Sequence, residues 1–258
     1  MCSAGGQAAD WRDAAAYAPL LVADRSIFAW EWLRRDPGYR AAAERALQGR
    51  SHTDDEPLAP ERWGLHAFEP PDLPAPLARP VWNADIHSHI LEVEAGRPTE
   101  ASDSIDIARF GGGARLVTSD AREHLLISDG LRAIRLDVLT GTLASGPARL
   151  RCRLSGLASA EQPLLTLRRL LALWRTGRFS RSLHPPEARA PRWLLMLRAH
   201  DALVAGADQR EIAVELLSRE AAEPRWRSRC PSVRLQVQRL VRSARRMAGG
   251  GYASLLKT

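Results

Sequence analysis

A chain of 258 residues with 45% hydrophobic content and eight tryptophans can bury a substantial core, which excludes an intrinsically disordered protein. Its formal charge of +7 is unevenly placed: residues 224–258 carry eight arginines and Lys257 with no acidic residue, a charge of +9, whereas 1–223 set 28 arginines against 30 acidic residues. No apolar run approaches the ~18 residues of a membrane span, no signal-peptide pattern opens the chain, and Cys2, Cys152 and Cys230 lack CxxC spacing, so the expectation is a cytoplasmic protein with free thiols.

Residues 11–47 read as helical. Phe28 and Trp32 lie four apart, with Ile27, Trp30 and Leu33 on adjoining positions, which predicts an aromatic-rich buried face. That face is larger than two helices can bury between them, so it should pack on a β-region or on another copy of the chain. Glu31 can pair with Arg34 or Arg35 on the same helix. Asp36-Pro37-Gly38 should stop this helix, and a second is expected from about Tyr39 to Leu47. Residues 50–80 hold seven prolines, from Pro57 to Pro80, and read as an extended connector pinned by Trp63, Leu65 and Phe68.

Between Val81 and Gly156 the period changes to two. Ile134, Leu136 and Val138 alternate with Arg135 and Asp137, and Leu150, Cys152 and Leu154 with Arg149, Arg151 and Arg153, as in strands with one buried face. Asp129-Gly130 is a two-residue hairpin signal. A small antiparallel sheet of about five strands is predicted. After Gly156 the helical period returns. Ser159-x-x-Gln162 can form a capping box for a helix carrying Leu164, Leu167, Leu171 and Trp174. A helix from Arg192 to about Ala205 follows, and then Asp208-x-x-Glu211 caps a short one with Ile212, Ala213, Leu216 and Leu217. The last helix should run from about Ser232 to Met247, ended by Gly249-Gly250-Gly251.

The basic charge falls on this last helix. Val233, Val237, Leu240, Val241 and Ala244 form its apolar side, while Arg234, Gln238, Arg242 and Arg245 line one face flanked by Arg239 and Arg246. A short capped helix opening Gln-Arg-Glu-Ile-Ala, followed by a basic helix, has a helix-turn-helix character, although thirteen residues, 218–230, separate the two where a tight turn has three or four. The candidate DNA-binding residues are Gln209, Arg210, Arg227, Arg229, Arg234, Gln238, Arg239, Arg242, Arg245 and Arg246. Arginine forks suit phosphate and guanine edges. The face lacks the exposed aromatic anchors of a membrane-surface helix.

Gln209–Ala213, Trp226, the arginine-rich helix and the closing Gly250-Gly251-Tyr252-x-x-Leu255-Leu256 resemble the RovC-like transcription factors of type VI secretion. That family includes excision activators and quorum-sensing antiactivators of integrative and conjugative elements. Trp11-Arg12-Asp13, Tyr17, Asp24-Arg25 and residues 29–35 are similar to the transcriptional-regulator-like module that accompanies it. The resemblance implies promoter binding by the C-terminal helical domain and, in some relatives, oligomerisation.

Other constellations carry less. His87-x-His89 with Asp85 and His124 could supply metal ligands but has no Cys companion. Gly111-Gly112-Gly113 lacks the Lys-Ser/Thr of a phosphate loop. Cys230 sits among Arg227, Arg229 and Arg234, which could favour its thiolate. No catalytic set stands out, so no enzyme activity, cofactor or metal is expected.

The resulting expectation is an α+β protein: an N-terminal helical module (1–50), a Pro-rich connector (51–80), a β-rich region (81–156) and a helical DNA-binding domain (157–258) with a helix-turn-helix-like unit. It should be an oligomeric regulator, an activator, that binds double-stranded DNA and works with RNA polymerase or another regulator. The alternative is an antiactivator that sequesters a transcriptional activator, for which the arginine face would be unnecessary.

Overall fold

The structure is a computed structural model in which residues 10–49 and 59–257 are described. Cys2 and Pro57 lie outside the described residues. The chain packs as two units. One joins residues 10–23 to Pro186–Tyr252, and the other comprises Asp24–Pro185 with residues 253–257. Among the described residues no helix is long and apolar enough to cross a membrane.

The second unit begins with α2 (Arg25–Leu33) and α3 (Pro37–Leu47), α1 being a single turn at Ala14–Tyr17 in the first unit. Asp36 caps α3, accepting the Tyr39 amide at 2.7 Å, and Pro37 occupies the first turn, where a missing N–H costs nothing. The same three residues therefore stop one helix and start the next, and α3 begins at Pro37 instead of Tyr39. α2 is buried all round from Ser26 to Leu33. Trp30 donates its indole N–H to the Leu73 carbonyl at 3.0 Å and meets the Tyr39 ring edge-on at 5.7 Å. Trp63 and Phe68 lie 5.7 and 6.0 Å from the same ring, and Leu65 is fully buried, so the Pro-rich segment is pinned where the sequence suggested. Glu31 is buried with both arginines, Arg34 at 2.9 Å and Arg35 closer, and also accepts the Ala75 amide. Burial would raise its carboxyl pKa. Arg35 and Arg34 more than offset that and hold it below the usual carboxylate range.

The sheet holds β1 (Ile90–Gly96), β2 (Ala114–Ser119), β3 (Arg122–Ser128), β4 (Ala133–Thr140) and β5 (Arg149–Arg153) in the order β2-β3-β4-β1-β5. It is mixed, not antiparallel throughout, because β1 and β4 run parallel. The connection from 97 to 113 carries the chain to the far edge, and two hairpins bring it back beside β1. This route supplies the long crossover that a parallel pair needs. The loop at Asp129-Gly130 has four residues, 129–132, not two. Asp129 donates its amide to the Arg132 carbonyl, and its carboxylate accepts the amides of Leu131 and Arg132. Gly130 has φ 98°, and a Cβ there would stand 2.4 Å from the Pro76 carbonyl oxygen.

The tight two-residue turn falls instead between β2 and β3, where Asp120 and Ala121 both take positive φ, 49° and 58°. This is the backbone that Asn-Gly favours. Ala121→Gly is expected to stabilise the fold by about 1 kcal/mol, read as a higher urea midpoint. A lower midpoint would contradict the left-handed geometry at this position.

One face of the sheet meets α4 (Glu161–Thr176): Leu91, Val93, Leu125, Ile127 and Leu136 pack with Leu170 and Leu173. One expectation fails here. Ser159 donates its hydroxyl to Ser155 O, and the N-cap is Ala160, so no capping box forms. The buried stripe is Thr166, Leu170 and Leu173, while Leu164, Leu171 and Trp174 are 46, 40 and 38% exposed. α4 is apolar over more than one arc, and contact with β1 and β4 selects which arc is covered. The alternation in β5 also misleads. Among the described residues β5 pairs only with β1, and at this edge Cys152 and Leu154 are exposed.

The opposite face is covered as well, so β4 is buried on both sides and its alternation does not mark a wet face. Arg135 is 1% exposed and donates to the Trp82 and Leu136 carbonyls. Asp137 stands 2.7 Å from Arg135 Nη1 and 2.6 Å from His124 Nδ1.

In the first unit, residues 10–23 lie along α5 (Ala190–Val204). Arg198 donates to the carbonyls of Trp11 and Arg12 at 2.8 and 3.0 Å, and Tyr17 donates its hydroxyl to Asp201 at 2.6 Å. α6 (Gln209–Leu216), α7 (Trp226–Arg229) and α8 (Pro231–Ala248) complete it.

Candidate nucleic-acid interface

α6 starts on a complete capping box. The Asp208 carboxylate accepts the amides of Arg210 and Glu211 at 2.7 and 2.8 Å, and Glu211 returns a bond to the Asp208 amide at 2.8 Å. Ile212 and Ala213 are its buried residues, whereas Leu216 and Leu217 are half-buried. The fourteen residues between α6 and α8, 217–230, form an ordered connection: a 3-10 turn at Arg219–Ala222 and then α7, entered through Arg225 at φ 60° and anchored by buried Trp226. Arg210 holds this connection by donating to the carbonyls of Ala221 and Ala222.

α8 is strongly amphipathic. Val233, Val237, Val241, Ala244 and Met247 are buried, and Leu240, expected on this side, is half-buried. Pro231 occupies its first turn, and Arg245 and Arg246 its last, where cations complement the helix dipole. The helix ends at Ala248, with Gly250 at φ 98°. At 100° per residue, Arg234, Gln238, Arg242 and Arg245 share an arc of about 80°, and Leu235, Arg246 and Arg239 occupy the adjoining arc. All seven are exposed. None of the five arginines forms an ion pair among the described residues, and no acidic residue occurs after Glu223.

The expected DNA contacts therefore do not all stand alike. Arg234, Gln238, Arg239, Arg242, Arg245 and Arg246 are gathered on one exposed side of α8. Arg229 is exposed at the end of α7. The Arg227 side chain lies outside the described residues. Gln209 is half-buried, and Arg210 is engaged with carbonyls, beside a cleft of about 430 Å³ lined by Asp208, Glu211 and Glu215 together with Arg12. Leu235, 45% exposed in the middle of the arginine side, is the residue that sequence reasoning passed over. Its signal was an apolar residue out of step with Val233 and Val237.

Residues 154–257 match the family model of a type VI secretion transcription factor DNA-binding domain, of the RovC type, and residues 10–66 match that of a proteobacterial transcriptional regulator-like domain. Together the two matches support a RovC-like regulator. No curated protein and no solved structure matches it. The match to a DNA-binding domain supports DNA as a partner, and both matched families are transcription regulators.

A second cluster lies in the other unit. His66, His124 and Asp137 bring ligand atoms within 4.8 Å of one another. The two imidazoles are stacked at 3.5 Å, and Arg135 supplies a buried positive charge to the same carboxylate. The guanidinium and the stacked rings tie this trio into a packed polar network. Burial, then His124 and Arg135, push His66 down to about 4. The rings of His87 and His89 are 6.2 Å apart and do not join this trio. Cys152 and Cys230 are free thiols.

Proposed function

We propose that this RovC-like regulator recognises promoter DNA through the exposed side of α8. α6 would be the first helix of a helix-turn-helix-like pair, and α8 the reading helix. The carrying observation is the set of five exposed arginines without acidic neighbours on α8, within the part of the chain that resembles a DNA-binding domain. In this reading Arg234, Gln238 and Arg242 approach base edges, and Leu235 beside Arg242 meets a thymine methyl group. Arg227, Arg229, Arg239, Arg245 and Arg246 hold phosphates, with Gln209 at the start of α6. Arg210 contributes through Nη1, the guanidinium nitrogen not bonded to the connection. The regulator acts in the cytoplasm as an activator that works beside RNA polymerase.

Five or six phosphate contacts set a log–log salt slope of roughly −5 for binding to duplex DNA. Fluorescence anisotropy across a salt series checks this. Replacing Arg234 or Arg242 by alanine is expected to cost about 1–3 kcal/mol at one operator and to relax preference at one base position. Unchanged affinity and selectivity in both variants would move recognition elsewhere. A wild type without salt-dependent DNA binding would favour the antiactivator reading, in which the helical domain binds another regulator.

A further inference from the structure

α4 carries a second apolar stripe besides the one that meets the sheet. Leu164, Leu167, Leu171 and Trp174 are spaced three, four and three apart, the a and d positions of two heptads. Leu164, Leu171 and Trp174 are exposed and Leu167 is half-covered. A cavity of about 130 Å³ opens beside them, lined also by Ile105, Leu150 and Leu170. Trp174 is fixed by donating its indole N–H to the Ser104 carbonyl at 3.1 Å, so its ring cannot fold away to cover the stripe. A helical seam with an adjoining hole is a surface on which another helix can interlock.

Charge selects that helix. Glu161, Arg168 and Arg175, seven apart and all exposed, flank the seam on its solvent side. If two α4 helices meet antiparallel, these flanks face each other. Glu161 of each copy then lies against Arg175 of the other, twice, with a single Arg168–Arg168 contact at the centre. A parallel pair would set the same residues near Pro163 and Leu170 and offer no opposite charge. The neighbouring free edge of β5 carries Arg149, Arg151 and Arg153, so two such edges would oppose arginine to arginine and are guarded against pairing.

We infer that two copies of this chain associate through α4, as an antiparallel helix pair that closes the Leu164–Leu167–Leu171–Trp174 seam. This does not rest on the DNA reading above. For a regulator, pairing puts two α8 faces in one assembly and multiplies a weak single-site affinity.

The test is the mass of the full chain by sedimentation equilibrium and light scattering, without DNA, from about 1 to 100 μM, a range that brackets micromolar association. The wild type should rise toward the mass of two chains. Leu171→Glu should remain at one chain throughout, with unchanged far-UV circular dichroism because the side chain is exposed. Arg175→Glu turns two attractive pairs repulsive and should weaken association about tenfold. Adding Glu161→Arg to it restores opposite charges and should return the wild-type constant to within about threefold. A monomeric wild type, whose seam would then serve a different protein or none, overturns the inference. So does an assembly that Leu171→Glu leaves intact, or one indifferent to the charge reversal.

Discussion

Replacing Asp137 by alanine should destabilise the fold by about 3–5 kcal/mol, because it leaves Arg135 buried without its counter-charge. Arg135 is 1% exposed, and its other contacts, the Trp82 and Leu136 carbonyls and the His124 ring at 3.2 Å, supply no second carboxylate. Burial alone would raise the Asp137 pKa. The hydrogen bond from His124 and the charge of Arg135 more than offset it, so the group is held below its usual value. Urea unfolding at pH 7.5 checks this, and Arg135→Met combined with Asp137→Ala should recover much of the loss, since the unpaired charge is then gone. A loss under about 1 kcal/mol would mean that water reaches Arg135. The acid side of the stability curve follows from the neighbouring histidines. Burial, then His124 and Arg135, hold His66 at about 4, and burial, then His89 and Arg135, hold His87 at about 3. The unfolded chain takes up these protons near pH 6.5, so their contribution is complete above that pH and declines as pH falls toward 4. Asp137 acts lower: its contribution is present above about pH 3.8 and is lost as pH falls through its depressed folded value. A urea midpoint that is flat from pH 8 to about 4.5 would contradict neutral burial of both rings.

Trp30→Ala should cost a similar amount, about 3–5 kcal/mol. The residue is fully buried, its indole N–H donates to Leu73 O, and its ring meets Tyr39, which in turn bonds Glu69 O. The cavity would open between α2 and the Pro-rich segment, neither of which can collapse freely: Glu31 holds the Ala75 amide on one side, and Asp24 accepts the Ala133 amide on the other. Trp30→Phe keeps most of the volume and should lose only the indole hydrogen bond, about 1–3 kcal/mol with Leu73 O left unpaired. Denaturant unfolding of both variants separates packing from hydrogen bonding. Equal losses would deny the packing role. Trp30 and Trp32, at 0 and 1% exposure, are closed within the chain and cannot serve as a surface for a second copy.

Several readings of the sequence were secured by local physics. Asp208-x-x-Glu211 makes a capping box because all its partners lie within one turn, and Glu31 finds Arg34 and Arg35 because they lie on the same helix. The apolar and basic sides of α8 follow from a 3.6 period with large contrast between the two arcs. Ser159-x-x-Gln162 shows the limit of such signals: the motif is present, but Ser159 bonds Ser155 instead.

The sequence by itself therefore determined the sites of the longer helices and of β4 and β5, the buried aromatic helix and the concentration of arginine on one exposed face, since all of these depend on neighbours within a few residues. Tertiary structure alone decided which arc of α4 meets the sheet, that β1 and β4 run parallel, and that Arg135, Asp137 and His124 are buried under a second covering layer. It also decided that residues 10–23 fold with α5 through Arg198 and Asp201. Each of these depends on which distant surface arrives to exclude water, and periodicity within one element carries no record of that surface.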